Sequence, residues 1–147
     1  MDIRALRCEH PVIIDRFSVL GGLCGRIRTR DDAHEARRLV ADVDLLLVPH
    51  LTSEDAELYP LLMNASDERL RTLGAEASDS VGKLLEIWVR FRDHWTATAI
   101  LADPPRFASA TAGILAVLSV RVAMEEDSLY PAAEAEARFG GRVHDAA

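Results

Sequence analysis

Glu54-Asp55-Ala56-Glu57-Leu58-Tyr59-Pro60 returns in the second half of the chain as Glu125-Glu126-Asp127-Ser128-Leu129-Tyr130-Pro131. Each copy is an acidic cluster followed by Leu-Tyr-Pro. Each falls near the end of a long stretch of helical character. In a bundle whose second and fourth helices are related by a two-fold pseudo-symmetry axis, the two copies would lie at one depth. The plain structural reading is two helix C-termini closed by the same aromatic–proline device.

The punctuation around these copies outlines four helices. The first is expected from about Glu9 or His10, with Pro11 in its first turn, to about Arg28. Gly21, Gly22 and Gly25 weaken it by roughly 1 kcal/mol each, and close approach of a neighbouring helix would explain them. The second should open at Asp31 or Asp32, where Asp32 and Glu35 resemble a capping box. It should run to about Leu62, kinked at Pro49 just before His50. Asn64 to Asp67 is a break. After a short turn before Gly74, a third helix is expected over Ala75 to Leu101. Asp103-Pro104-Pro105 stops it and starts a fourth, which Gly140-Gly141 ends after Phe139. Short connections make this an all-α, antiparallel up-down four-helix bundle. It would be one domain over residues 1–147, with a tail frayed from about 140.

Composition agrees with one packed core. The chain has 147 residues, 49% of them hydrophobic and only 5% aromatic, a mix that favours helices over sheets. A net charge of −7 repels phosphate backbones, which argues against nucleic acid. Cys8 and Cys24, if on one helix, are about 24 Å apart at ~1.5 Å per residue and cannot bond to each other. A reducing, cytoplasmic compartment follows as the expectation. The most apolar run, Ile114 to Val120, is too short to cross a bilayer, so no membrane association is expected.

His50 and Glu54 stand one helical turn apart, a spacing that lets an imidazole and a carboxylate face one metal ion. An exposed His–Glu pair has the same spacing. His10 lies about as far before the first turn as His50 lies after it, so in an antiparallel hairpin the two share a level. On the same reasoning Glu125 is level with residues 78 to 85 of the third helix. His94 is about twelve residues beyond that level, roughly 18 Å along the axis. It belongs instead with the aromatic stripe Trp88, Phe91 and Trp95. His34 opens a helix and is expected in solvent, and His144 lies in the tail.

His10, the segment His50-Leu51-Thr52-Ser53-Glu54, and the two Leu-Tyr-Pro copies together resemble the hemerythrin-like HHE cation-binding family over nearly the whole chain. The resemblance implies a hemerythrin-like bundle that carries two irons. Histidines of the first two helices hold one iron, those of the last two hold the other, and carboxylates bridge them. On that template His10 and His50 match the first iron's imidazoles. Glu54 matches one bridging carboxylate, and Glu125 or Glu126 the other. Arg121 stands where a helix-four histidine belongs, and the third helix offers only Ser78, Asp79, Ser80 and Gly82 at the required level. The second iron has lost its imidazoles.

Three functions follow from that departure. In the first, one non-haem metal, iron favoured or another divalent ion, is held by His10, His50, Glu54 and Glu125 or Glu126 and works on O₂, peroxide or another small ligand. In the second, the bundle is metal-free. Arg121 then neutralises the carboxylates, while Gly82 and Ser78 leave room for a small molecule. Such a pocket is either a regulatory module or an enzyme that uses Glu54 or His50 as a base and Arg121 for charge stabilisation. In the third, two metals use Tyr59, Tyr130, Asp79 or Glu86 as atypical ligands. The partners are a small molecule or O₂-type ligand, with a homodimer left open.

Overall fold

The computed structural model describes the backbone of residues 1–145 and the side chains of residues 1–139. It is an all-α bundle of four antiparallel rods. Helix α1 is Ile3–Cys24. The second rod joins α2 (Arg30–Ser53) to α3 (Tyr59–Met63) through a π-helical turn, Glu54–Leu58. The third consists of α4 (Glu68–Val81), α5 (Leu84–His94) and α6 (Ala97–Ala102). The fourth joins α7 (Pro104–Met124) to α8 (Tyr130–Asp145) through a second π turn, Glu125–Leu129.

Several boundaries differ from expectation, each for a local reason. The first helix begins well before Glu9, because the Asp2 side chain accepts the Ala5 N–H at 3.0 Å and caps it. Pro11 therefore lies inside α1. The capping box of α2 is Thr29 with Asp32, not Asp32 with Glu35. The third rod is broken at Gly82 and again at Trp95. Gly74 sits inside α4, where a Cβ would lie 2.9 Å from Leu62 Cβ, so a close helix crossing requires this glycine. Gly21, Gly22 and Gly25 need no such account: a Cβ at any of them meets nothing within 4 Å. The fourth rod runs on through Gly140-Gly141 to Asp145. Of the expected frayed tail, the side chains from 140 onward, His144 among them, lie outside the described residues.

The two π turns coincide with the two repeat copies. Pro60 and Pro131 carry no N–H, and their rings crowd the carbonyls four residues earlier. The turn before each opens by one residue, so Tyr59 N–H bonds to the Glu54 carbonyl and Tyr130 N–H to the Glu125 carbonyl. The helix continues past both prolines instead of closing there.

Apolar packing splits into two clusters. The larger one runs from Ile13, Leu51, Leu84 and Leu118 towards Trp88, Phe91 and Trp95. The smaller one holds Leu6, Leu58, Leu62, Ala77, Leu129 and Tyr130. On every rod the boundary between them falls at one level, and among the described residues five of the six buried polar or charged side chains occupy that level: His10, His50, Glu54, Arg121 and Glu125. Two layers of hydrocarbon thus enclose one layer of charge, where the local dielectric is low and every ion must be matched.

Candidate metal centre

His10 and Glu54 are each placed one turn from an apolar anchor on their own helix, Ile13 and Leu58, both nearly inaccessible. The anchors fix the faces, and the polar groups follow. His10, His50, Glu54 and Glu125 each present one ligand-type atom, and these atoms lie within 4.8 Å of one another. His10 Nε2 is 3.2 Å from Glu125 Oε1, and His50 Nε2 is 3.2 Å from Glu54 Oε1. The two imidazole rings meet edge to face with centroids 4.9 Å apart.

Both inward nitrogens are aimed by outward ones. His10 Nδ1 is 2.8 Å from Glu126 Oε1, and His50 Nδ1 is 3.2 Å from Glu9 Oε1. A carboxylate behind the imidazole is the arrangement that fixes ring orientation and tautomer in metal sites. It also decides between the two neighbouring acids. Glu125 is the inward carboxylate, 1% exposed. Glu126 is half-buried and serves the back of His10.

Arg121 is completely buried in the same layer. Its Nε donates to Glu125 Oε2 at 3.1 Å, Nη1 donates to the Val81 carbonyl at 3.2 Å, and Nη2 donates to Glu54 Oε1 at 3.3 Å and Asp55 Oδ1 at 2.8 Å. The guanidinium carbon lies 4.8 Å from the Tyr59 ring centroid. Glu125 therefore turns one oxygen towards His10 and the other towards Arg121. It thus lies between the His10 imidazole and the Arg121 guanidinium.

The tyrosines cross over. Tyr59, beside the first copy, donates to Glu125 Oε2 of the second at 3.3 Å. Tyr130, beside the second, donates to Glu54 Oε2 of the first and lies 3.0 Å from His10 Nε2. Burial and the adjacent carboxylates push both phenols well above the usual range, so both are protonated donors here.

Burial alone would lower the histidines. Glu125 and Glu126 outweigh it at His10, and Glu54 and Glu9 outweigh it at His50, so both pKa values are raised. Burial, the largest single influence, would raise Glu54, yet the His50 contact together with hydrogen bonds from Glu125 and Tyr130 outweighs it and holds the carboxyl down at about 2. Burial, with the nearby Glu54 charge, raises Glu125.

Other expected residues lie elsewhere. Asp79 is exposed, and Glu86 is exposed and paired with Arg90, so neither reaches the charged layer. Gly82 closes α4, and a Cβ there would be 2.3 Å from the Ser78 carbonyl, so the glycine is demanded by its own chain and opens no void. Ser78 and Gly82 do border a surface pocket of about 220 Å³ with Asp55, Tyr59, Pro60 and Met63, but none of the four clustered residues lines it. The expected interior void is filled by Arg121. His94 packs against Trp95 at the far end, and His34 is exposed. Sequence spacing alone brings neither Glu9 nor Asp55 into this network, and it does not foretell the crossed bonds of the two phenols. The one sequence signal for the phenols is the Tyr of each Leu-Tyr-Pro copy, five residues beyond its acid.

Among known protein families, residues 1–133 match the family model described as hemerythrin HHE cation binding domain. No curated protein and no solved structure matches the chain.

Proposed function

The chain belongs to the hemerythrin HHE cation-binding domain family, and on that premise we propose that it binds one non-haem metal ion, iron by preference, at His10, His50, Glu54 and Glu125. Charge carries the reading. Three carboxylates, those of Glu54, Asp55 and Glu125, face the single guanidinium of Arg121. With both histidines neutral, two negative charges remain unmatched, the charge of one divalent cation. Two imidazoles with one or two carboxylates also suit non-haem iron. A second metal does not fit, because Arg121 occupies that half of the layer.

When bound, the metal would supply Lewis-acid or one-electron chemistry to a small ligand of the O₂ or peroxide class. The chain's own residues do the rest. Glu9 and Glu126 hold the imidazoles in place, Tyr59 and Tyr130 donate to the carboxylates, and two apolar layers exclude water. Glu54, held at about 2, is suited to ligation and too weak a base for proton abstraction near neutrality. Arg121 has four of its five N–H groups engaged, which leaves little to offer a substrate.

A second reading, a metal-free bundle acting as a binding or regulatory module, is favoured by one observation: no buried side-chain nitrogen or oxygen among the described residues lacks a partner. Protonation separates the two readings. The raised folded-state values of His10 and His50 stabilise the metal-free protein fully below the unfolded value of 6.5. That contribution is lost as pH rises through the raised values. The chelated protein should therefore melt lower as pH increases from about 6 to about 8, while metal-loaded protein melts higher, because a cation replaces the two imidazole protons. Metal analysis should give one equivalent, and calorimetry in buffers of different ionisation heat should show proton release on binding. Zero equivalents after exposure to Fe(II), Mn(II) and Zn(II) would establish the metal-free reading.

Glu126→Gln offers a milder check. It keeps shape but loses the charge behind His10, and metal affinity should fall about 10- to 100-fold with the fold unchanged. Unaltered affinity in a competition titration would remove Glu126 from the site.

A further inference from the structure

The repeat extends beyond its two acidic-Leu-Tyr-Pro copies. Glu125 follows Glu54 by 71 residues, and the same step separates the two π turns, Tyr59 from Tyr130, Pro60 from Pro131 and His50 from Arg121. It also carries the first rod onto the third, taking Arg7 to Ser78, His10 to Val81 and Pro11 to Gly82. Contacts obey the same correspondence. His10 meets His50 edge to face, and their counterparts Val81 and Arg121 meet through the hydrogen bond from Nη1 to the carbonyl.

In the second half the step reveals an occupied niche. The Arg7 guanidinium carbon lies 5.5 Å from the Tyr130 ring centroid, its Nε is 3.6 Å from Glu126 Oε2, and its Nη1 pairs with Glu134. The counterparts are Ser78 for Arg7, Tyr59 for Tyr130, Asp55 for Glu126 and Met63 for Glu134. Those four, with Pro60 and Gly82, line the surface pocket of about 220 Å³. A serine side chain ends at Oγ and leaves open the space that an arginine head fills in the other half. The pocket is the seat of a guanidinium with a serine where its arginine would be.

The seat keeps the chemistry that suits such a cation. Asp55 offers a half-buried carboxylate, one oxygen of which is bonded to Arg121. Tyr59 gives an aromatic wall, as Tyr130 does for Arg7. Met63 replaces the second acid with apolar surface, so the pocket suits a single delocalised charge and not a divalent ion. Its volume admits several heavy atoms at the roughly 30 Å³ that a water molecule claims in the liquid.

We propose that this pocket binds a small guanidinium-type organic monocation. The assignment needs no metal in the neighbouring layer. Methylguanidinium chloride, titrated into the full chelated chain at constant ionic strength, should saturably shift the amide resonances of Asp55, Ser78 and Gly82. The dissociation constant should be on the order of 1–10 mM, and sodium at equal concentration should give no such shifts. Ser78→Arg should fill the seat from within, abolish the shifts and raise the melting temperature. Met63→Glu restores the second acid, and affinity should rise roughly tenfold through a charge-assisted hydrogen bond. Arg7→Ser empties the counterpart niche, and this variant should bind two equivalents instead of one. None of these three side chains belongs to the core, so each variant reports on the pocket without disturbing the bundle. Absence of saturable shifts in the wild type, shifts that persist in Ser78→Arg, or shifts reproduced by sodium would overturn the assignment.

Discussion

Arg121→Ala in chelated protein should lower the free energy of unfolding by about 3–5 kcal/mol, the cost of removing one partner from a buried ion cluster. The guanidinium is wholly buried and bonds to Glu54, Asp55 and Glu125. Without it, the Glu54 and Glu125 carboxylates, closed above and below by hydrocarbon, have only His10, His50 and two phenols for company. Burial already raises Glu125, and the variant should push it further towards its neutral form. Urea titration at matched pH measures the effect, and a loss below about 1 kcal/mol, the range of an exposed pair, would mean that the guanidinium is not needed to balance these acids. The same variant vacates the second cationic position. Excess divalent metal should therefore stabilise it more than it stabilises the wild type, with bound metal rising above one equivalent.

His50→Ala is expected to abolish the metal site. Its Nε2 faces Glu54 while Glu9 holds the other side of the ring, so alanine removes both a donor and the means of aiming it. Metal content should fall from one equivalent to none detectable. The variant should also lose the stabilisation that metal gives the native state, about 2.7 kcal/mol when free metal is a hundredfold above the dissociation constant. Melting curves with and without metal read this directly. If the variant retained full metal content, the proposed ligand set would be wrong, whatever its stability.

Much of the bundle is legible in sequence because its signals are local. The Asp103-Pro104-Pro105 boundary, the Asn64–Asp67 break and the one-turn spacing of His50 and Glu54 all depend on neighbours within a turn or two, while the spacing of Arg121 fits an inward and an outward side chain equally well. The doubled Leu-Tyr-Pro copy marks the charged layer itself. What escapes reading depends on contacts between rods. Nothing near Glu9 in sequence announces His50, which it meets from another helix. Asp55 looks like a surface acid until Arg121 reaches it. The tyrosines look like packing at helix ends, because an ordinary helix would stop at the following proline. Gly82 looks like spare volume, although its constraint is the carbonyl four residues back in its own helix. The start at Ile3 rests on a single capping aspartate, a signal that competes with the more familiar Pro11 in a first turn.

The π turns have a consequence for how this chain tolerates change. Each amounts to one residue more than an α-helix would use, and so rotates everything downstream by about 100°. Deleting one residue within 54–58 would remove the extra one, relax the turn into ordinary helix and leave Tyr59 and Leu62 on the inner face, whereas closing the turn without a deletion would swing them off it. Insertions here act as phase errors, whereas the same changes in the 64–67 connection would be absorbed. The two prolines thus mark where an extra residue is taken up, and the acidic segments can be shortened by one residue with less harm than they can be lengthened.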